Sequence, residues 1–240
     1  ALGKAPGAHF VAVTDPGSHM EDVAKKDGFW KIFYGEKQIG GRFSVLSNFG
    51  LVPAAAAGYD VKDLLRSALY SVKNSSASTP PDENTALQLG AILGVAATKF
   101  KRDKVTIIAS PAIYDLGAWL EQLIAESTGK RGTGLVPIDD ETLGSPSVYG
   151  NDRVFAYVRL TEKPCPTQEK AIATLVESGQ PVVTSDLKNK REVAQTFFHW
   201  EFATAVAGSI LGIDPFDQPD VEFSKVETKK LTTAFNETGK

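Results

Sequence analysis

Short apolar runs alternate with longer helix-patterned stretches along the whole chain, and that alternation narrows the fold more than any other feature. Phe10-Val11-Ala12-Val13-Thr14 reads as a buried strand closed by the turn signal Asp15-Pro16-Gly17. Gly17-Ser18-His19-Met20 then leads into a short polar helix over residues 18–27, and Trp30 to Tyr34 forms a second strand. From Ser44 to Ala57 small and apolar residues dominate, which predicts a buried helix bent at Pro53. Asp60 caps an amphipathic helix reaching about Lys73, and the polar stretch Asn74–Pro81 reads as an inter-helix loop rather than a domain boundary. Helix resumes from Asp82 to about Lys101, before the best central strand, Val105–Ala109. A helix over Ile113–Ser127 follows, then strands at Leu135–Ile138 and Val154–Val158 and a helix over 167–178. A strand at Pro181–Thr184, a long apolar helix over Lys190–Ile210 and an amphipathic helical tail, Val221–Phe235, complete the pattern.

The predicted architecture is α/β: about five strands in a mainly parallel, flavodoxin-like sheet with helices between them, the whole of residues 1–240 forming one domain. In such sheets ligands bind beyond the carboxyl ends of the strands, so the residues just after Thr14, Ala109, Ile138 and Thr184 are the first places to look. A net charge of −3 leaves no basic field suited to nucleic acid or an anionic membrane, while a few local cations suffice for one phosphate. No apolar run is long enough to span a bilayer. The single cysteine, Cys165, lies between Pro164 and Pro166 and reads as a loop residue; low cysteine content fits a reducing, cytoplasmic setting. The opening Ala1-Leu2-Gly3-Lys4 is neither a signal peptide nor an initiator start and reads as the middle of a longer chain.

Several chemistries lack their signatures. No GxGxxG follows a strand and no GxSxG occurs. Gly129-Lys130 fails as a phosphate loop, because Ile124 and Arg131 stand where glycine and Ser or Thr are needed. His9, His19 and His199 have no metal-ligand spacing with one another or with Cys165, and His199, in Phe197-Phe198-His199-Trp200, reads as a packed helix residue.

Three segments carry candidate chemistry. In Ile39-Gly40-Gly41-Arg42-Phe43-Ser44, two glycines let backbone amides approach a ligand and an arginine follows at once. In Gln122-Leu123-Ile124-Ala125-Glu126-Ser127-Thr128-Gly129-Lys130, Gln122 and Glu126 share one helix face. Glu126 falls in the last turn, where the helix carbonyls disfavour negative charge and suit a carboxylate to taking up a proton. In Phe216-Asp217-Gln218-Pro219-Asp220-Val221-Glu222-Phe223-Ser224-Lys225, apolar Val221 and Phe223 are expected to anchor the segment. Each has an ordinary reading taken alone: a turn with a surface arginine, a solvated glutamate at a frayed helix end, a surface lysine.

Together, and in this order, Gly-Gly-Arg-Phe-Ser-x-x-Ser, Glu-Ser-x-Gly-Lys and Phe-Asp-Gln-x-x-Val-Glu-x-x-Lys resemble the signatures of the phosphoglucose isomerase family. Thr14–Ser18, Gly50–Ala55 and Phe202–Gly208 look most like the version fused behind a transaldolase in bacterial bifunctional proteins. The resemblance implies a sugar-isomerase domain, an αβα sandwich, that interconverts glucose 6-phosphate and fructose 6-phosphate without metal or organic cofactor. It implies that Glu126 carries the proton between C2 and C1, that Arg42 stabilises the cis-enediolate, and that Lys225 acts as an acid or electrostatic partner near the ring oxygen. Gly40, Gly41, Gln122 and Gln218 match substrate contacts, Gln218 at the phosphate. A homodimer and a transaldolase domain in the parent chain are the partners the resemblance suggests.

Two departures from the family pattern stand out. No histidine lies in Leu135–Asp152, where the family places its ring-opening acid, and the family's first lobe, with its Ser/Thr-rich phosphate loop, has no counterpart in the chain. The chain is therefore expected to be the carboxyl-terminal part of a larger enzyme, weakly active or inactive without the amino-terminal lobe. Competing readings are a non-catalytic phosphosugar sensor, an isomerase that also accepts mannose 6-phosphate, and a domain that docks a partner enzyme.

Overall fold

The computed structural model describes residues 5–239, so the reading of Ala1–Lys4 lies outside the described residues. The first unit is a crossover of three elements: β1 (Val11–Thr14), α1 (His19–Lys26) and β2 (Lys31–Tyr34), with β1 and β2 paired in parallel from Val11 opposite Lys31 to Thr14 opposite Tyr34. Ser18 caps α1 by accepting from the Glu21 amide at 3.2 Å. The Tyr34 hydroxyl donates to Glu21 at 2.9 Å and ties β2 to the helix it follows.

A short helical turn, Gly41–Phe43, leads to α2 (Asn48–Ala56), α3 (Val61–Asn74) and α4 (Thr85–Phe100). Asp60 caps α3 by accepting from the amides of Lys62 and Asp63, as expected, and 75–84 is the loop between α3 and α4. The expected burial of the apolar α2 is not found: no residue of this helix is buried, and Phe49 is exposed. Small side chains such as Ala54–Ala57 place no bulk against the rest of the chain, and Pro53 is accommodated within a nine-residue helix.

The main sheet contains β3 (Lys104–Ala109), β4 (Val136–Ile138), β5 (Arg153–Leu160) and β6 (Val182–Leu187), all parallel in the order β4-β3-β5-β6. Between them run α5 (Leu116–Thr128), α6 (Pro166–Glu177), then α7 (Val193–Leu211) and α8 (Pro219–Thr238). The α/β class and the parallel pairing are as expected, but the strands divide into two sheets rather than one, since β1 and β2 pair only with each other. Strand periodicity explains the layers. Val105, Ile107, Val154, Ala156 and Val158 face one core with Leu89, Leu93, Leu120 and Trp200 from the helices. Ile108, Phe155 and Tyr157 point the other way onto Ile172 and Leu175 of α6. A sheet covered on both faces needs near-continuous apolar strands, and β5 is buried at five consecutive positions, Val154–Val158, and again at Leu160 after the half-buried Arg159. α4 and α7 meet through glycines: a Cβ on Gly90 would lie 2.4 Å from the Ala203 carbonyl oxygen. Among the described residues no helix is long and apolar enough to cross a membrane.

Candidate active site

Arg42 is the hub. It lies in the turn after the Gly-Gly pair, and only 3% of its surface is exposed. Its Nη1 donates to Ser127 Oγ at 2.6 Å and to the Pro215 carbonyl at 2.8 Å. Nη2 donates to the carbonyls of Phe216 at 3.3 Å and Asp217 at 2.9 Å. A planar guanidinium can hold such diverging acceptors at once, which an ammonium on a flexible stem cannot. The remaining nitrogen, Nε, is sealed from solvent with no hydrogen-bond partner, and Glu126 Oε2 stands 3.7 Å from it. That spacing is a charge contact but too long for a hydrogen bond. Burial pulls the Arg42 pKa down, opposed by Glu126, Asp217 and Asp214.

Glu126 is placed by α5. Thr128 ends this helix by donating to the Ile124 carbonyl and accepting from the Leu135 amide, both at 2.8 Å, which fixes the last turn just before β4. The glutamate side chain is about one-third exposed (35%), so one side meets Arg42 and the other is open. Gln122, one turn earlier, donates to Glu126 Oε1 at 3.3 Å, as their four-residue spacing predicts.

This location differs from the expected one. A crossover helix runs antiparallel to its strands, so the carboxyl end of α5 returns to the amino-terminal edge of the sheet. The crevice at the opposite edge, after Ala109 and Ile138, is a separate cavity of about 610 Å³ lined by Asp115, Asp139, Asp140 and Glu141. The Asp139 carboxylate packs against Gly117 in the first turn of α5, where a Cβ would meet it at 1.8 Å, and so occupies that helix's anion-favouring end.

The third segment reaches the site through residues the sequence reading did not single out. Lys130, 5% exposed, forms an ion pair with Asp217 at 2.5 Å, donates to the Asp217 carbonyl at 2.7 Å and also donates to the Asp214 carbonyl. Pro215 packs on Gly208 of α7, and the Phe43 and Phe216 rings lie 5.1 Å apart. Ser127 and Lys130 both lie in the Glu-Ser-x-Gly-Lys signature, which is the signal that could have found them. Gln218 follows this clamped loop directly, as the residue before α8.

Lys225 is not brought in. It is exposed on α8 and pairs with Glu222 at 2.9 Å, with neither Arg42 nor Glu126 among its contacts. The expected anchoring by Val221 and Phe223 also fails: α8 has no buried residue, and Phe223 is 67% exposed. The loop is held by Lys130, Pro215 and Phe216 instead. A Cβ on Gly40 or Gly41 would meet nothing within 4 Å, and neither has a positive φ, so the chain's own packing does not demand glycine at either position. What they provide is open space beside Arg42. Among the described residues no group of three or more His, Cys, Asp and Glu could hold a metal ion.

The chain is 28% identical to the glucose-6-phosphate isomerase of Parabacteroides distasonis, over its whole length and 61% of that protein. A hypothetical protein from Thermus thermophilus has the same fold with a TM-score of 0.83 and 26% identity, covering 96% of this chain and 64% of that one. The glucose-6-phosphate isomerase of Chlamydia trachomatis superposes with a TM-score of 0.77 at 22% identity, covering 98% of this chain and 54% of its own. The chain thus spans between about half and two-thirds of the length of these proteins. The match to the family described as Phosphoglucose isomerase runs over residues 3–151, more than half the chain, and takes in both Arg42 and Glu126. With that match and the joining of its Gly-Gly-Arg turn to its Glu-Ser-Thr-Gly-Lys helix end, the chain belongs to the phosphoglucose isomerase family.

Proposed function

We propose that this chain carries the proton-transfer centre of an aldose–ketose isomerase that interconverts glucose 6-phosphate and fructose 6-phosphate. One observation carries the reading: a guanidinium fixed by four hydrogen bonds keeps its Nε–H unpaired, 3.7 Å from a half-open carboxylate. With the sugar open, Glu126 removes the C2 proton of the aldose as the carbonyl oxygen on C1 becomes negative. Arg42, unable to lose its charge, stabilises the resulting cis-enediolate; the C2 hydroxyl proton passes to the C1 oxygen, and Glu126 returns its proton to C1 as C2 becomes the ketone carbonyl. Gln122 orients the carboxylate, the open space at Gly40 and Gly41 admits the sugar, and Gln218 contacts the phosphate. The crevice beyond β3 and β4 is acidic and its helix end is occupied by Asp139, which disfavours phosphate there.

The reading extends to a second lobe. Two parallel strands do not make a stable sheet alone, and β1 and β2 leave Val11 and Tyr34 exposed, as is Phe10 just before β1. A preceding sugar-isomerase lobe would extend that pair and supply a phosphate loop, with a transaldolase before it in the parent polypeptide. Lys225 would take its role as an acid or electrostatic partner only once α8 is packed against such a lobe or a second copy. The test is exchange of the C2 hydrogen of glucose 6-phosphate with deuterated solvent, followed by NMR on the full-length protein. Glu126→Gln should abolish exchange; exchange at an undiminished rate would remove Glu126 from the mechanism.

A further inference from the structure

A second cavity, of about 330 Å³, opens where the carboxyl end of β6 meets α3, α4 and α7, and it shares no lining residue with the Arg42–Glu126 site. Its size falls at the lower end of the roughly 300–1,000 Å³ of small-molecule sites. Ser71, Asn74, Thr184, Ser185, Thr196 and His199 converge on it. Among the described residues, none of these six side chains makes a hydrogen bond within the chain. Ser71 and Thr196 are buried at 8% and 4% exposure. Buried donors and acceptors are rarely left without partners in native proteins, so the two buried hydroxyls at the back of the cavity, with the four more exposed polar groups around them, call for an occupant with matching hydroxyls.

The charge pattern narrows the class. No lysine or arginine lines the cavity. Its one carboxylate, Asp186, is held by Arg159 through Nε at 2.6 Å and Nη2 at 2.7 Å. Burial holds the His199 imidazole neutral, pushing its pKa down to about 4. The wall is therefore neutral and rich in both donors and acceptors, with nothing to neutralise a phosphate. At the rim, Tyr70 and Ile92 are 61% and 42% exposed and offer an apolar surface for the C–H face of a sugar ring.

We infer that this cavity is a binding site for a small uncharged polyol or unphosphorylated sugar, separate from the isomerase centre. The probe is glucose, titrated into the isotope-labelled chain and followed by amide and histidine-ring NMR signals. Glucose should shift the amides of residues 184–186 and the His199 ring in a saturable way, whereas inorganic phosphate should not. Each lost hydrogen bond should weaken binding about three- to tenfold, in His199→Leu and equally in Asn74→Ala, whose partly exposed position spares the core if the histidine variant fails to fold. Three results would overturn the assignment. They are no shift at glucose up to about 50 mM, well above a millimolar Kd; shifts that survive Asn74→Ala and His199→Leu unchanged; and shifts that arise on raising protein concentration alone, which would give the cavity to a second copy of the chain. Exchange of the C2 hydrogen does not enter this test, so it stands or fails apart from the isomerase reading.

Discussion

Replacing Arg42 by methionine should separate the stability that this side chain provides from the chemistry proposed for it. The substitution keeps most of the apolar stem and removes four hydrogen bonds, to Ser127 and to the carbonyls of Pro215, Phe216 and Asp217. At about 1.5–3 kcal/mol for a bond to a charged group, the gross loss is about 6–12 kcal/mol. Most of that is offset, because burying a guanidinium costs several kcal/mol, and methionine does not incur that cost. Truncating one member of a buried charged network typically leaves a net loss of about 3–5 kcal/mol, and that is the expected destabilisation here. Urea unfolding, followed by circular dichroism, measures it as a lowered midpoint at unchanged slope. Arg42→Lys should recover part of the loss, since an ammonium reaches one or two of the acceptors but not all of them. Glu126→Gln is the control: the carboxylate is partly exposed and makes no hydrogen bond to Arg42, so its stability effect should stay within about 1 kcal/mol while exchange activity is lost. A loss below about 1 kcal/mol in Arg42→Met would refute the reasoning, because it would mean that water satisfies the three carbonyls as well as the guanidinium does.

Gly90→Val should force α4 from α7, since even a Cβ would lie 2.6 Å from Val206 Cβ, and should cost about 1–3 kcal/mol in the same unfolding assay. Stability should also depend on pH through two partly buried groups on α7. Glu201, whose Oε1 is sealed without a partner, has its carboxyl pKa raised by burial to about 8 from 4.5, so its contribution is full below 4.5 and is lost as pH rises to about 8. His199, lowered to about 4 from 6.5, contributes above 6.5 and loses that as pH falls to about 4. The two slopes oppose each other below 6.5, so the visible effect is a falling urea midpoint between about pH 6.5 and 8, which Glu201→Gln should flatten; an unchanged limb in that variant would refute the assignment. Cys165, at the start of α6, has its thiol pKa lowered chiefly by the Thr167 hydroxyl, 3.2 Å from Sγ. Alkylation by iodoacetamide at neutral pH should therefore slow in Thr167→Ala, and an equal rate would count against that contact.

Element type was legible because burial follows period: the run Val105–Ala109 could only be a two-faced strand, and Asp60 only a cap. Strand partnership was not, because an apolar run such as Phe10–Thr14 carries no mark of which sheet it joins, and its pairing with Lys31–Tyr34 alone emerges from the fold. α2 misled for a related reason: small apolar residues fit a buried helix and an uncovered one equally well. In the site, Arg42, Glu126 and Gln122 were readable because a turn and a helix spacing place them locally. Lys130 was not, because its partners lie 84 and 87 positions away. Lys225 shows the converse: a residue can sit in a matching signature while the helix bearing it buries none of its described residues.

The separations explain why a single arginine joins the two halves of this site. Arg42 is 85 positions from Ser127 and 173–175 from the Pro215–Asp217 carbonyls, so closing these contacts orders nearly the whole chain. Loop closure of that length carries an entropy cost that grows only slowly with separation, whereas each charged hydrogen bond returns a fixed amount once closed. One multidentate cation serves this better than several single donors, because one ordered side chain satisfies acceptors from two distant segments. The same geometry bears on the proposed chemistry. Nη1 and Nη2 are committed to Ser127 and the loop carbonyls, and Nε stays 3.7 Å from the Glu126 carboxylate without hydrogen-bonding it. On the proposed reading, this unpaired donor would be satisfied by an oxygen anion forming beside Glu126, a preference for the charged intermediate over the neutral sugar that the fold would set in advance.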